Sequence, residues 1–208
     1  MTGRKTEHQL DPDFVLMAYS SGYFPMAESR TGAISWYSPD PRAIIPLDGF
    51  RISRSLDQKV RKRLFDVRIN TAFEQVIRLC AERDETWISD EIIRVYTLLH
   101  KRGFAHCVEC WHAGHLAGGL YGVAIGGALF GESMFSRETD ASKVALVRLV
   151  ELLRQSSFRL LDTQFMNAHV KQFGAYEIPR ARYLELLSDA LAVETKFEAL
   201  ISGISLSK

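Results

Sequence analysis

From Ala105 onward the apolar residues repeat with a period of two, and turn residues stand at His112-Ala113-Gly114-His115 and at Gly126-Gly127. Side chains alternate between faces only on a strand, and strands joined by tight turns run antiparallel, so this stretch predicts a three-stranded meander. A chain with a meander in its middle and helical patterns on either side is confined to the α+β class. The longest uncharged run, Leu116 to Gly131, falls inside the meander. With six glycines it is too short and too broken for a membrane helix and reads as sheet.

The flanking segments follow from spacing and punctuation. Asp11 or Asp13 is placed to cap a short helix through Phe14, Val15, Met17 and Ala18 that ends at Gly22. In Ser38-Pro39-Asp40-Pro41 two prolines one residue apart exclude both helix and central strand, which sets a domain junction. A small N-terminal domain over 1–41 and a larger domain over 42–208 are therefore expected. Arg42 to Pro46 reads as a strand, Ser53 to Arg63 as a basic helix, and Asp66 to Asn70 as a strand. Phe73, Val76, Ile77 and Cys80 have helical spacing, and a second helix runs from Ser89 to Gly103. After the meander come a largely buried helix from Ala141 to Leu153, a strand from Arg159 to Phe165, and a helix from about Pro179 to Leu191. This is the order of acetyltransferase-like folds: a mixed, largely antiparallel sheet flanked by helices.

Twenty-six basic and 25 acidic residues leave a formal net charge of +1, so any nucleic-acid binding must come from a local patch. Arg51, Arg54, Lys59, Arg61, Lys62 and Arg63, interrupted only by Asp57, supply one. A run of this kind either lies on a solvated helix face or holds phosphates. No apolar stretch of signal-peptide length follows the first residues, so a cytoplasmic location without membrane contact is expected. The three cysteines, Cys80, Cys107 and Cys110, are an odd number and are expected to be reduced.

Two segments concentrate chemistry. Gly131-Glu132-Ser133-Met134-Phe135-Ser136-Arg137 sets a carboxylate, two hydroxyls and a cation among bulky apolar groups at a strand end. An edge strand with Glu132 paired to Arg137 or Lys143 is the structural alternative to a site. In Leu160-Leu161-Asp162-Thr163-Gln164-Phe165 the period of two puts Asp162 and Gln164 on one face and Leu161 on the other. These polar groups form either a satisfied core network or a surface that orients an amine and removes its proton. His106, Cys107, Cys110, His112 and His115 look like metal ligands, but Cys107 and Cys110 point to opposite faces of a strand, and no metal is expected. The glycines from Gly118 to Gly131 do not open a helix after a strand, which argues against a coenzyme A or dinucleotide cradle.

Gly22-Tyr23-Phe24-Pro25, Trp36-Tyr37-Ser38-Pro39-Asp40-Pro41-Arg42, Ile52-Ser53-Arg54-Ser55, Thr86-Trp87-Ile88, Gly131 to Arg137 with Ala141-Ser142-Lys143, Leu161 to Gln164 with Asn167 and His169, and Gly174 to Arg180 together resemble the leucyl/phenylalanyl-tRNA-protein transferases. The blocks occur in the family's order from about Asp11 to Leu187. Met26 and Tyr37 stand where many members carry tryptophan.

The resemblance implies an acetyltransferase-like (GNAT-like) domain behind a small N-terminal one. It implies an aminoacyltransferase that moves leucine or phenylalanine, less readily methionine, from aminoacyl-tRNA to proteins beginning with arginine or lysine and so marks them for the N-degron pathway. Asp162, Gln164 and Glu132 are then the expected catalytic group. Leu120, Leu129, Leu146, Leu149 and Leu161 match the family's side-chain pocket, with Ser133 and Asn167 beside it. Trp87 matches a tryptophan near the 3′ adenosine, and the basic run is expected to hold the acceptor stem. An aminoacyl ester is already activated, so no cofactor is expected, and the partners are tRNA and protein, not DNA; a monomer is expected. The competing readings are an acetyl-coenzyme A enzyme of the same fold and a non-catalytic RNA-binding module.

Overall fold

In the computed structural model, which describes residues 10–195 and 197, the chain runs α1 (Pro12–Ser20), β1 (Phe24–Ala27), β2 (Ile34–Tyr37), β3 (Arg42–Ile45), α2 (Arg54–Arg61), β4 (Asp66–Ile69), α3 (Phe73–Ala81), α4 (Asp90–Lys101), β5 (Ala105–His112), β6 (His115–Ile125), β7 (Ala128–Ser136), α5 (Ala141–Arg154), β8 (Leu160–Gln164), α6 (Ala168–Lys171), β9 (Tyr176–Ile178) and α7 (Arg180–Leu191). The outer ends of the two expected domains, 1–9 and 198–208, lie outside the described residues.

The meander forms as its spacing requires and becomes the middle of a seven-stranded sheet ordered β4-β5-β6-β7-β8-β3-β9. Its neighbours pair antiparallel except β7 and β8, which run parallel and are joined by α5 as the crossover. The architecture is therefore mixed α+β, with helices against a mostly antiparallel sheet. Alternation on β5 sends Cys107 into the apolar cluster formed with α3 and α4, and Cys110 into the one formed with α5. The two thiols thus stand on opposite faces. Helix α5 buries Val144, Leu146, Val147, Leu149, Val150, Leu152 and Leu153 and keeps Lys143, Arg148, Glu151 and Arg154 along its outer side, the one-sided pattern of a helix laid across a sheet.

Local chemistry sets the helix starts. Asp11, not Asp13, caps α1 by accepting from the N–H groups of Asp13 and Phe14, and Ser53 and Ser89 cap α2 and α4. Helix α3 has no cap of its own. The buried Glu109 of β5 accepts from the N–H groups of Thr71 and Ala72 at 2.7 and 2.8 Å instead. This contact joins residues far apart in sequence, so no local pattern announces it.

Strands β1, β2 and β9 and the single turn α6 went unforeseen. Each is only three or four residues long, and β1 contains Pro25; β3 and β4 are as short but were marked by an apolar run and by alternation. Proline is tolerated there because β1 and β2 form a separate two-stranded ribbon. Val15, Tyr19, Phe24 and Ala27 from this N-terminal part share one apolar cluster with Tyr96, Tyr121 and Phe130.

Candidate active site

Between β7 and β8 the sheet opens. Parallel pairing covers Ala128↔Leu160, Leu129↔Leu161 and Phe130↔Asp162 and stops there. The later residues of both strands line a cavity of about 490 Å³, within the range of small-ligand sites. Leu120, Leu146, Leu149 and Leu161 supply apolar lining, Phe24 and Met26 reach it from β1, and Trp87, Arg83, Glu132, Ser133, Gln164 and Asn167 also border it.

Two β-bulges aim the polar groups. In the β6–β7 pair Tyr121 faces Ser133 and Gly122 faces Gly131, so Glu132 is the extra residue. In the β3–β8 pair Ala43 faces Gln164 and Ile44 faces Asp162, which leaves Thr163 extra. A bulge bends its strand and re-aims the side chains around it. Gly122 permits the first, since a Cβ there would lie 2.5 Å from the Phe130 carbonyl oxygen. At the second, Gln164 takes a left-handed backbone with φ of 59°.

The shared face expected for Asp162 and Gln164 is corrected by this irregularity. Gln164 turns into the cavity together with Leu161 and Thr163, whereas Asp162 is fully buried and is not among the lining residues. Its carboxylate accepts from Arg42 Nε at 2.9 Å and Arg42 Nη2 at 2.6 Å, from the Tyr183 hydroxyl at 2.8 Å, and from the backbone N–H of Gln164 at 2.9 Å. Arg42 is itself buried, between the rings of Phe24 and Tyr183 at 4.8 and 4.4 Å. Burial opposes its charge, but the Asp162 carboxylate more than offsets this and leaves the guanidinium above its ordinary value. A buried charge pair persists only when its lone pairs and protons are satisfied in this way.

Glu132 is held differently. It accepts from the Tyr19 hydroxyl at 2.7 Å, the Tyr96 hydroxyl at 3.3 Å and Gln164 Nε2 at 3.2 Å, and the two tyrosine hydroxyls are hydrogen-bonded to each other. Burial pushes its carboxyl up to about 8 and the charge of Asp162 adds to the rise, against the tyrosine hydrogen bonds and Arg42. Glu132 is therefore poised to exchange a proton near neutral pH, beside an amide that orients it. The edge-strand alternative, Glu132 paired with Arg137 or Lys143, is not what forms: Arg137 pairs with Glu82 and Lys143 with Asp140.

The other expected residues divide. Trp87, Leu120, Leu146, Leu149, Leu161, Ser133 and Asn167 border the cavity, and Asn167 also caps α6 by accepting from Val170 N–H at 3.0 Å. Leu129 does not: it lies in the paired part of β7, 1% exposed, where its neighbours leave no open surface. Of the basic run, Arg51, Arg54, Arg61, Lys62 and Arg63 are exposed, while Lys59 pairs with Asp140 at 2.5 Å and Arg61 with Asp57 at 2.9 Å. Asp140 stands two residues before Ser142 of the cavity lining, which links α2 to the rim.

Tyr19, Tyr96, Arg42 and Tyr183 were not anticipated. The tyrosines sit at ordinary amphipathic positions of their helices and carried no distinguishing signal. Arg42 did carry one: a cation heading the apolar strand Arg42-Ala43-Ile44-Ile45 requires a partner. Tyr121 also borders the cavity, and its buried hydroxyl has no hydrogen-bond partner among the described residues.

Residues 44–188 match the family model for leucyl/phenylalanyl-tRNA protein transferase, and residues 8–40 match the model for the N-terminal domain of the same family. The leucyl/phenylalanyl-tRNA–protein transferase of Herpetosiphon aurantiacus is 53% identical over 190 residues, covering 91% of this chain and 98% of that protein. That of Gloeobacter violaceus is 54% identical over 188 residues, covering 90% and 97%. A crystal structure of the C-terminal domain of a putative lysylphosphatidylglycerol synthetase from Agrobacterium fabrum covers 93% of this chain and 63% of its own at 10% identity, with a TM-score of 0.40, too weak a likeness to fix the fold. With its cavity between β7 and β8 and near-full-length identity above one half to such relatives, the chain belongs to the leucyl/phenylalanyl-tRNA protein transferase family of aminoacyltransferases.

Proposed function

We propose that this protein transfers leucine or phenylalanine, and less readily methionine, from aminoacyl-tRNA to the α-amino group of proteins with N-terminal arginine or lysine, marking them for N-degron degradation. The carrying observation is a single cavity that joins an apolar lining of Leu120, Leu146, Leu149 and Leu161 to the Glu132 carboxylate, held by Tyr19, Tyr96 and Gln164. Its volume suits one amino-acid side chain together with the reacting ester and amine.

In this reading the transferred side chain lies among the leucines, where size sets preference by only about one to three kcal/mol per methylene and methionine leaks through. The acceptor amine attacks the ester carbonyl carbon, the new C–N bond forms, and the bond to the ribose oxygen breaks. The amine's proton passes to the ionised form of Glu132, oriented by Gln164, and Glu132 then gives that proton to the departing ribose oxygen, which leaves as the hydroxyl. Asp162 acts one step back, as a positioning residue that fixes the Gln164 backbone and Arg42. Ser133, Asn167 and the Tyr121 hydroxyl offer hydrogen bonds to the substrates, Trp87 a stacking face for the terminal adenosine, and Arg51, Arg54, Lys59, Arg61, Lys62 and Arg63 the charge that holds acceptor-stem phosphates.

An ester is already activated, so these steps draw on no cofactor. The proposed setting is a monomer in the cytoplasm, with a GNAT-like domain over 42–208 behind a small domain over 1–41. The absence of any helix long and apolar enough to cross a membrane, among the described residues, is consistent with it.

The direct test is to incubate the protein with radiolabelled leucyl-tRNA and two peptides that differ only in an N-terminal arginine or alanine. Label in the arginine peptide alone is expected. Equal label in both, or none with intact tRNA and folded protein, would overturn the assignment.

A further inference from the structure

His112 and His115 face each other in register across the turn between β5 and β6. Glu138 arrives from the segment joining β7 to α5, held in place by the N–H groups of Arg137 and Glu138 on the Ala117 carbonyl at 2.7 and 3.0 Å. Its two oxygens lie 2.9 Å from His112 Nδ1 and 2.9 Å from His115 Nε2. One donor atom from each residue falls within 4.8 Å of the other two. Among the described residues this is the one group of three histidine, cysteine or carboxylate side chains so spaced.

We propose that His112, His115 and Glu138 form a binding site for a divalent transition metal, with zinc the natural occupant. Two imidazole nitrogens and a carboxylate are a ligand set that zinc accepts, and tetrahedral bonds of 2.0–2.1 Å set ligand atoms about 3.4 Å apart. The nitrogen–oxygen separations of 2.9 Å are a few tenths of an ångström inside that spacing, and rotation of the exposed His112 and His115 rings brings the three donor atoms, within 4.8 Å of one another, to it.

The backbone is already fixed, since two ligands come from paired strands and the third from a hydrogen-bonded segment, so little order has to be created on binding. The Phe65 and His112 rings meet edge to face, with centroids 6.0 Å apart. Side-chain exposures of 44%, 60% and 31% leave the remaining coordination position open to water.

The cysteines play no part in this site. Cys107 and Cys110 are buried on opposite faces, and the group became visible only when the fold brought Glu138 to the hairpin tip. A metal here ties the β5–β6 turn to the segment that leads through Asp140 into α5, so its effect is on the fold and not on the transfer step.

The test is calorimetric titration of chelator-treated, full-length protein with zinc, alongside His115→Ala, Glu138→Gln and the double variant His112→Ala/His115→Ala. The expected result is about one equivalent bound, with affinity lower by tenfold or more in each variant. In parallel, zinc at a hundredfold excess over Kd raises Tm by about 5–10 °C in the unaltered protein and not in the variants. All three positions are partly exposed, and circular dichroism verifies that each variant folds. No zinc uptake by the folded protein, or uptake and Tm shift undiminished in the double variant, overturns the proposal.

Discussion

At Glu132 two influences meet: burial and the charge of Asp162 drive the carboxyl toward its neutral form, while two tyrosine hydroxyls and Arg42 favour the anion. Burial wins, and the folded value stands at about 8 against an ordinary 4.5. Between those values the folded chain binds a proton that the unfolded chain has released. The stabilisation from this group is complete below 4.5 and is lost as the pH rises toward about 8. Thermal melts are therefore expected to show the Tm of the unaltered protein falling relative to Glu132→Gln across that window; a constant difference would contradict the raised value. The same variant should bind aminoacyl-tRNA normally and lose about 10²–10⁴ in kcat/KM for transfer. Asp162 differs in kind. Asp162→Ala leaves Arg42 buried without its partner, so urea denaturation is expected to reveal a loss of about 3–5 kcal/mol in addition to the loss of transfer. Both acidic residues stood out in the sequence as polar groups in apolar strands. Their division of labour did not, because it depends on Arg42 and Tyr19, each more than 100 residues away along the chain from its partner.

Among the elements, the long ones were all legible, while of those with four residues or fewer β3 and β4 were read and the rest were not. Helices α3, α4, α5 and α7 and the meander repeat their apolar spacing often enough to be read, whereas β1, β2, α6 and β9 are brief and carry no such repeat. Strand β8 shows the limit of alternation. Its bulge and the left-handed Gln164 separate two side chains that a regular strand would place together, and this geometry is imposed by pairing with β3. Helix α2 was recognisable by its charge, but which cations remain available depended on its setting: Lys59 is engaged by Asp140 of the α5 cap, while Arg54 and Lys62 stay exposed. If α2 grips tRNA phosphates, replacing Arg54, Arg61 and Lys62 by alanine should weaken tRNA binding and reduce the salt dependence of log Kd by about two to three. The catalytic rate on bound substrate should stay nearly unchanged, as measured by single turnover at saturating enzyme.

Over the whole molecule, the N-terminal helix and ribbon share their core with the large sheet: Val15, Tyr19 and Phe24 pack in one cluster with Tyr96, Tyr121 and Phe130, and Tyr19 reaches Glu132. Unfolding in urea should accordingly be a single transition, with coincident midpoints by far-ultraviolet circular dichroism and by fluorescence of Trp36, Trp87 and Trp111. Separate midpoints would show that the two parts hold together independently. Periodicity and punctuation determined the class, the order of the main elements and the residue types from which a site is built, because these rest on interactions among neighbours in the chain. Only the tertiary structure decided that β7 and β8 part to form a cavity, that Leu129 lies outside it, that Asp162 turns inward to Arg42, and that Glu138 meets His112 and His115. Each of these is settled by a bulge, a buried charge or a loop from another part of the chain, and long-range packing leaves no trace in local spacing.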